Sequence, residues 1–257
     1  MGLLPRRLRH GEEATLVEHL GELRVRLVVS LLALAVGFGV AYAFRGHVLG
    51  WLNHPLPHRL RKPVTFSPAE PFITSFMVSL WAGFLLATPV ILHQFWSFFA
   101  PAFREHTQRT IVGLVGFAVV LASGGLLFGY FVALRAAVHF LTTYDSSHYT
   151  ILIRARDYYG FAITVLVAVT VVFEVPIAIL GLVRIGVLSA RKLRRNRRLG
   201  YVIMAAIAVA LPGVDPVTTT FEMIPLMVLF EGSIWMAVVF ERRWHPEPLE
   251  VSAGETG

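Results

Sequence analysis

Long apolar segments separated by short polar connections make up almost the whole chain. Six of them are apolar enough to be interpreted as membrane-crossing segments, since a helix needs about 20 apolar residues to cross the hydrocarbon core of a bilayer. They lie at about residues 23–44, 72–96, 110–132, 158–183, 200–211 and 217–240. The pattern predicts an all-α polytopic membrane protein, with one six-helix domain over residues 15–243 between tails at 1–14 and 244–257.

The fifth segment is shorter than an ordinary transmembrane helix. Residues 201–211 would extend about 17 Å as a helix, against a hydrocarbon core of roughly 30 Å. The sequence LPGVDP follows, where two prolines and a glycine predict a tight turn capped by Asp215. Two interpretations stay open, a re-entrant hairpin and a full crossing in a locally thinned bilayer.

The basic residues predict the orientation of these segments. Sixteen of the 23 lysines and arginines fall on the side that holds both termini and the connections at 97–109 and 184–199. Basic residues accumulate on the cytoplasmic side, so both termini are predicted to be cytoplasmic. The same rule favours a full crossing by the fifth segment, because Arg242 and Arg243 then end on that side. The RKLRRNRR run is accordingly predicted to orient the protein rather than to bind nucleic acid.

The composition excludes several classes of function. Charged residues make up 15% of the 257 residues, whereas a soluble domain carries about a quarter. Without cysteine there is no disulfide or thiol chemistry. His54 and His58 are four residues apart, but Pro55 and Pro57 prevent the helix that would pair them as metal ligands. No GxSxG, P-loop or HExxH motif is present, and we expect neither enzymatic activity nor a cofactor.

One glutamate, Glu174, lies inside the fourth apolar segment. An ionised carboxylate at the centre of a membrane helix costs about 2.5–3.5 kcal/mol, so such a residue is a candidate functional group. Pro176 removes a backbone hydrogen bond to Val172 and is expected to kink the helix locally. We therefore expect Glu174 to be neutral, or to face another protein segment or a wet cavity. Glu231, in the last apolar segment, is a candidate functional group for the same reason.

The segment before the first apolar run is a polar, amphipathic helix by its spacing. Thr15 and Glu18 form a capping box, and Glu22 stands four residues before Arg26 as a helical ion pair would. Two interpretations remain: a surface helix with an internal ion pair, or an acidic contact for a cationic ligand. Glu105 is the only acidic residue of the aromatic-rich stretch at 93–109 and by itself indicates a solvated loop charge.

The order and spacing of these motifs resemble the TatC family, the multi-spanning receptor subunits of twin-arginine protein translocases. The resemblance covers about residues 15–243. It rests on EHLGELRVRL (18–27), SPAEPF (67–72), TPVILHQFWSFFAPAF (88–103), FEVPIAI (173–179), LPGVD (211–215) and IPLMVLFE (224–231). It implies a concave, cup-like bundle of six helices in the inner membrane, with short fifth and sixth helices and cytoplasmic termini.

The same resemblance implies a function without enzymatic activity. Family members bind signal peptides that carry consecutive arginines, and they export folded proteins at the expense of the proton-motive force. Their partners are the single-span proteins TatA and TatB, in multimeric complexes of the TatBC type embedded in membrane lipid. A proton-coupled small-molecule transporter using Glu174 is the alternative, although such folds commonly show two related halves, and none is apparent here.

The resemblance also assigns roles to individual residues. In the first cytoplasmic loop the family usually has a second recognition glutamate where this chain has Thr107, and Glu105 is expected to take its place. Glu174, and with it Glu231, is expected to contact a partner helix within the membrane. Pro55 and Asp215 match positions on the extracytoplasmic side. Signal-peptide recognition is expected from Glu22, His19, Leu20, Arg24, Phe98 and Glu105.

Overall fold

The computed structural model describes residues 16–98, 107–144, 146–184, 186–211 and 216–244, and these residues are almost entirely helical. The helices are α1 (Leu16–Ala43), α2 (Arg45–Asn53), a 3-10 turn (His58–Leu60), α3 (Glu70–Phe98), α4 (Thr107–Phe128), a π-helical turn (Gly129–Ala133), α5 (Leu134–Thr143), α6 (Ala155–Val172), α7 (Val175–Arg184), α8 (Ala190–Arg195), α9 (Arg197–Ala210) and α10 (Pro216–Trp244).

Within the described residues, five helical stretches are long and apolar enough to cross a membrane. They are Leu20–Ala43, Glu70–Phe98, Val112–Thr143, Ala155–Arg184 and Glu222–Glu241. They overlap five of the six predicted segments, but the third runs on to Thr143, beyond its predicted end at residue 132. The remaining segment is α9, whose 14 residues extend about 21 Å. Its shortness is as expected, and the number of six crossings stays a prediction. The last helix, α10, runs for 29 residues, but its apolar stretch of 20 residues is shorter than the other four, in agreement with the expected short sixth span.

The contact between α1 and α3 depends on two glycines. A Cβ atom on Gly37 would lie 2.5 Å from the carbonyl oxygen of Gly83, so neither position has room for a side chain. Small residues at such crossings let helix backbones approach closely, which is how helices pack in a bilayer. The outward face of α1 is lined with exposed leucines and valines, as expected for a surface in contact with lipid.

The fourth stretch, α6 followed by α7, is the most enclosed, with 56% of its apolar window buried. The helix is interrupted at Phe173 and Glu174, between Val172 and Val175. The kink predicted from Pro176 is confirmed at this place. The π-helical turn at Gly129–Ala133 has no comparable signal in the sequence and was not predicted.

Contacts between helix ends show which ends lie together. One end of the molecule, called here the α8 end, includes the contacts of Arg26 of α1 with Gln94 of α3, of Trp96 of α3 with Gly181 of α7, and of Ala190 of α8 with Glu241 of α10. The opposite end, called the α2 end, joins Asn53 of α2 to Tyr159 of α6. α1 therefore begins at the α8 end, whereas α3, α7 and α10 finish there.

Candidate functional site

The first turns of α1 and the last turns of α3 meet at the α8 end. Arg26 donates two hydrogen bonds to one carboxylate oxygen of Glu22, with lengths of 3.0 Å from Nε and 2.5 Å from Nη2. Its remaining nitrogen, Nη1, donates to the side-chain oxygen of Gln94 at 3.3 Å. The predicted pair of Glu22 and Arg26 is confirmed, and Gln94 links the pair to the neighbouring helix.

Glu22 is still accessible at this position, since its side chain is 28% exposed. Leu20 and Arg24, which were predicted to flank it, are exposed on the same stretch of α1. The side chains of His19 and Thr107 lie outside the described residues, and so does Glu105. The described part of the predicted recognition set is therefore an accessible carboxylate with apolar and cationic side chains around it.

The end of α3 adds aromatic side chains beside Gln94. Phe98, the last residue of the helix, is half-buried, and Phe95 is mostly exposed with its ring edge-on to Trp96 at 5.6 Å between centroids. Trp96 is buried against α7, where a Cβ atom on Gly181 would lie 2.5 Å from the indole ring. Because Trp96 fixes this end of α3 against α7, Phe95 and Phe98 are presented from an ordered backbone.

Glu174 lies at the interruption between α6 and α7. Both of its carboxyl oxygens are shielded from solvent, and neither has a hydrogen-bond partner among the described residues. The neighbouring Phe173 stacks on Phe128 of α4, with 5.5 Å between ring centroids. A buried carboxyl group without a partner is unfavourable, so this position is suited to receive a hydrogen-bond donor from another molecule.

A second buried carboxyl group, Glu222 of α10, lies close to the same interruption. Its side chain is 2% exposed, and it lines a small cavity together with Phe128, Val169, Val172, Phe173, Leu211 and Leu226. Glu222 was not among the predicted site residues, although a glutamate in an apolar segment is the same signal that identified Glu174. The interruption is therefore bordered by a cavity that carries one acidic group.

Glu231 differs from Glu174 because partners within the chain hold its carboxylate. It accepts a hydrogen bond from the hydroxyl of Tyr201, and one of its oxygens lies 3.5 Å from Nη2 of Arg197. Both partners belong to α9, so Glu231 fastens α9 to α10. This environment explains how a glutamate is accommodated in the last apolar segment.

The α2 end contains an ion pair that sequence reasoning missed. Glu70, which is 4% exposed, accepts hydrogen bonds from Arg154 at 3.1 and 3.2 Å and from the backbone N–H groups of Phe66 and Arg156. The hydrogen bond with Glu70 raises the pKa of the Arg154 guanidinium above its ordinary value. Glu70 therefore holds the connection after α2 against the start of α6, where Val64 also pairs with Arg154 as an isolated β-bridge.

Pro55 lies at the same end, in the turn that follows α2. The hydroxyl of Tyr159 donates to the side-chain oxygen of Asn53 at 3.0 Å, and Tyr158 donates to the carbonyl oxygen of Leu52. These bonds tie the end of α2 to α6 and so fix the turn that contains Pro55. Asp215, the other residue predicted for this side, lies outside the described residues.

Three comparisons relate the chain to known proteins. A family model described as Sec-independent protein translocase protein (TatC) matches residues 18–225. The TatC protein of Aquifex aeolicus is 33% identical over 232 residues, which cover 89% of this chain and 96% of the relative. The TatC protein of Desulforapulum autotrophicum is 34% identical over 238 residues, which cover 91% and 88%.

Solved structures show the same similarity. A crystal structure of the twin-arginine translocase receptor TatC superposes with a TM-score of 0.73 at 33% identity, covering 86% of this chain and 98% of that chain. A second crystal structure of the receptor, in DDM, superposes with a TM-score of 0.75 at 34% identity, covering 85% and 99%.

Proposed function

Because the chain belongs to the TatC family of Sec-independent protein translocase proteins, we propose that it is the subunit that binds twin-arginine signal peptides of folded cargo. It is a non-enzymatic membrane component of the translocase. In the proposed orientation the α8 end is cytoplasmic, both termini lie on that side of the inner membrane, and the proton-motive force drives export.

The observation that carries the proposal is the accessible Glu22 carboxylate. Planar guanidinium groups pair bidentately with carboxylates, so a ligand with consecutive arginines requires acidic groups at its site. Arg26 and Gln94 hold Glu22 in one position before any ligand arrives, and such preorganisation lowers the entropic cost of binding. We propose that Glu105 supplies the second carboxylate, and that His19, Leu20, Arg24 and Phe98 complete the contact surface.

Glu174 is proposed to bind a partner helix of the TatA or TatB type within a multimeric complex. Its shielded oxygens lack a donor among the described residues, and a polar side chain from a neighbouring membrane helix would supply one. Glu231 is proposed to act at the same partner surface indirectly, since it fixes α9 to α10. Pro55 and Asp215 are proposed to act at the extracytoplasmic side. The alternative of a proton-coupled small-molecule transporter receives no support from the comparisons.

Photo-cross-linking tests the proposal at Glu22. The full chain, as wild type and as Glu22→Gln, is incubated with a peptide that carries two consecutive arginines and a photoreactive group. A hydrogen bond to a charged group contributes about 1.5–3 kcal/mol, so capture by Glu22→Gln should require at least a tenfold higher peptide concentration.

Asp157→Asn is the matched control, because Asp157 is exposed in the first turn of α6 at the α2 end and loses the same charge. It should capture the peptide as the wild type does. Unchanged capture by Glu22→Gln would remove Glu22 from the recognition site.

A further inference from the structure

A dense group of cations lies where α8 leads into α9. Residues 191–198 contain six arginines and lysines. One of them, Arg197, forms an ion pair with Glu231 of α10. The other five are exposed, and within the described part of the chain none has an acidic partner. These five residues, called here the α8 cation cluster, are Arg191, Lys192, Arg194, Arg195 and Arg198.

The backbone beneath the α8 cation cluster is held in place. The N–H of Ala190 donates to the carboxylate of Glu241 near the end of α10 at 2.7 Å. The hydroxyl of Ser189 caps α8 by accepting from the backbone N–H of Lys192 at 3.2 Å, and Leu193 packs into the core between α7, α9 and α10. The cations are thus presented by an ordered segment, which reduces the ordering that binding would require.

An apolar surface continues directly from the α8 cation cluster. Leu199, Val202 and Ile203 are exposed on α9, and Val209 is exposed further along. Their spacing of three and four residues places the first three on one helical face. Arg198 lies in the first turn of α9, directly before this face, and Arg195 ends α8 three residues earlier. The charged group and the apolar stripe therefore follow one another at the start of α9.

We propose that the α8 cation cluster binds the phosphate headgroup of an anionic phospholipid, with an acyl chain along the exposed face of α9. Groups of four to eight basic residues next to a membrane helix attract anionic lipids, and arginines bind phosphate bidentately. The apolar stripe selects a lipid over a nucleic acid or an acidic peptide, which would leave it uncovered. The short α9 also brings headgroups close, because the bilayer thins around a helix of about 21 Å.

The absence of cysteine from the chain permits a site-specific test. Ala206, a small exposed residue of α9, is changed to cysteine and labelled with a fluorophore. The full chain is then reconstituted in phosphatidylcholine vesicles with a small fraction of brominated phosphatidylglycerol or brominated phosphatidylcholine. The anionic lipid should quench the label more strongly at equal mole fraction.

The charge variant is Arg195→Gln with Arg198→Gln. Each basic residue at an anionic surface contributes about fivefold, so the preference for phosphatidylglycerol should fall about 30-fold. Arg195→Lys with Arg198→Lys should retain most of it. Arg59→Gln with Lys62→Gln, two exposed cations of the α2 end, should leave it unchanged while removing the same charge.

Three results would contradict the proposal. They are equal quenching by the two brominated lipids, an undiminished preference in the glutamine variant, and displacement by millimolar glycerol phosphate, which has the headgroup chemistry without the chain. The assay contains neither signal peptide nor partner protein, so its outcome is independent of the receptor function proposed above.

Discussion

Two carboxylates of the proposed machinery have opposite environments. Glu22 is partly exposed and already satisfied by Arg26, whereas the oxygens of Glu174 are shielded and without a described partner. A group of the first kind can exchange partners with a soluble ligand at little desolvation cost. A group of the second kind gains most from a donor delivered by another membrane helix, where water is scarce.

Removing Glu174 should therefore separate the two functions. Glu174→Ala is expected to bind a twin-arginine peptide with unchanged affinity but to associate more weakly with a TatA- or TatB-type partner. Interhelical hydrogen bonds in membranes contribute about 0.6 kcal/mol on average and at most about 1.7, which corresponds to roughly threefold to twentyfold weaker association. Co-purification of a tagged partner at graded expression levels measures this loss.

The amide variant Glu174→Gln serves as control, because it can still accept and donate hydrogen bonds. It should keep more partner than Glu174→Ala does. If the alanine variant lost peptide binding but kept its partner, the role proposed for Glu174 in partner binding would be wrong.

At the residue level, the sequence predicted contacts between residues that are close together in the chain. The pair of Glu22 and Arg26 follows from four-residue separation on a helix. The contribution of Gln94, 68 positions from Arg26, and the pairing of Glu70 with Arg154, 84 positions apart, depend on tertiary packing. No short-range pattern in the sequence reveals such contacts.

Among the helices, the crossing of α1 and α3 is the most sensitive to a single added carbon. Gly37→Ala places a Cβ atom 2.5 Å from the carbonyl oxygen of Gly83, and the helices have to separate. Overpacking of this kind costs about 1–3 kcal/mol. We expect a lower apparent Tm for the purified protein in detergent.

Gly39→Ala is the matched control on the same helix, since a Cβ atom there meets nothing within 4 Å. It should unfold at or slightly above the wild-type temperature because alanine favours helix more than glycine does. Equal Tm values for the two variants would show that the close crossing does not form.

The link between the α2–α3 connection and α6 depends on Arg154. Arg154→Ala leaves the carboxylate of Glu70 without its cationic partner, so the connection should open more often. Hydrogen exchange at the backbone N–H groups of Val64 and Phe66, which bond to Ile153 and Glu70, should become faster.

Arg156→Ala is the control, because Arg156 binds Glu70 through its backbone rather than its exposed side chain. Its exchange pattern should match that of the wild type. Slow exchange in Arg154→Ala would mean that the backbone hydrogen bonds alone hold the connection.

A helix boundary could be predicted from the sequence where a single residue determines it. Pro176 cannot donate to Val172, and the helix is interrupted just before it. The π-helical turn at Gly129–Ala133 lies in an almost uniformly apolar stretch of the chain. A shift of register there leaves no sign in the pattern of apolar and polar residues.

Across the whole molecule, the long helices connect an end proposed to bind peptide with an end held by polar contacts. α10 packs against α5, α7 and α8, and Glu241 near its end binds α8 at the α8 end. Its 29 residues extend about 43 Å, enough to cross a bilayer of roughly 30 Å. This arrangement favours a full crossing for the α9–α10 pair over a re-entrant hairpin.

Cysteine labelling tests that topology, since the chain has no cysteine of its own. Single cysteines at His58, Asn196 and Pro216, all exposed, are treated with a membrane-impermeant maleimide in cells and in inverted vesicles. If α9 crosses a thinned bilayer, Pro216→Cys should label from the outside together with His58→Cys. Asn196→Cys should label only in inverted vesicles, because the α8 end is proposed to be cytoplasmic. A re-entrant hairpin would instead leave Pro216→Cys unlabelled from outside, because the start of α10 would then lie within the membrane.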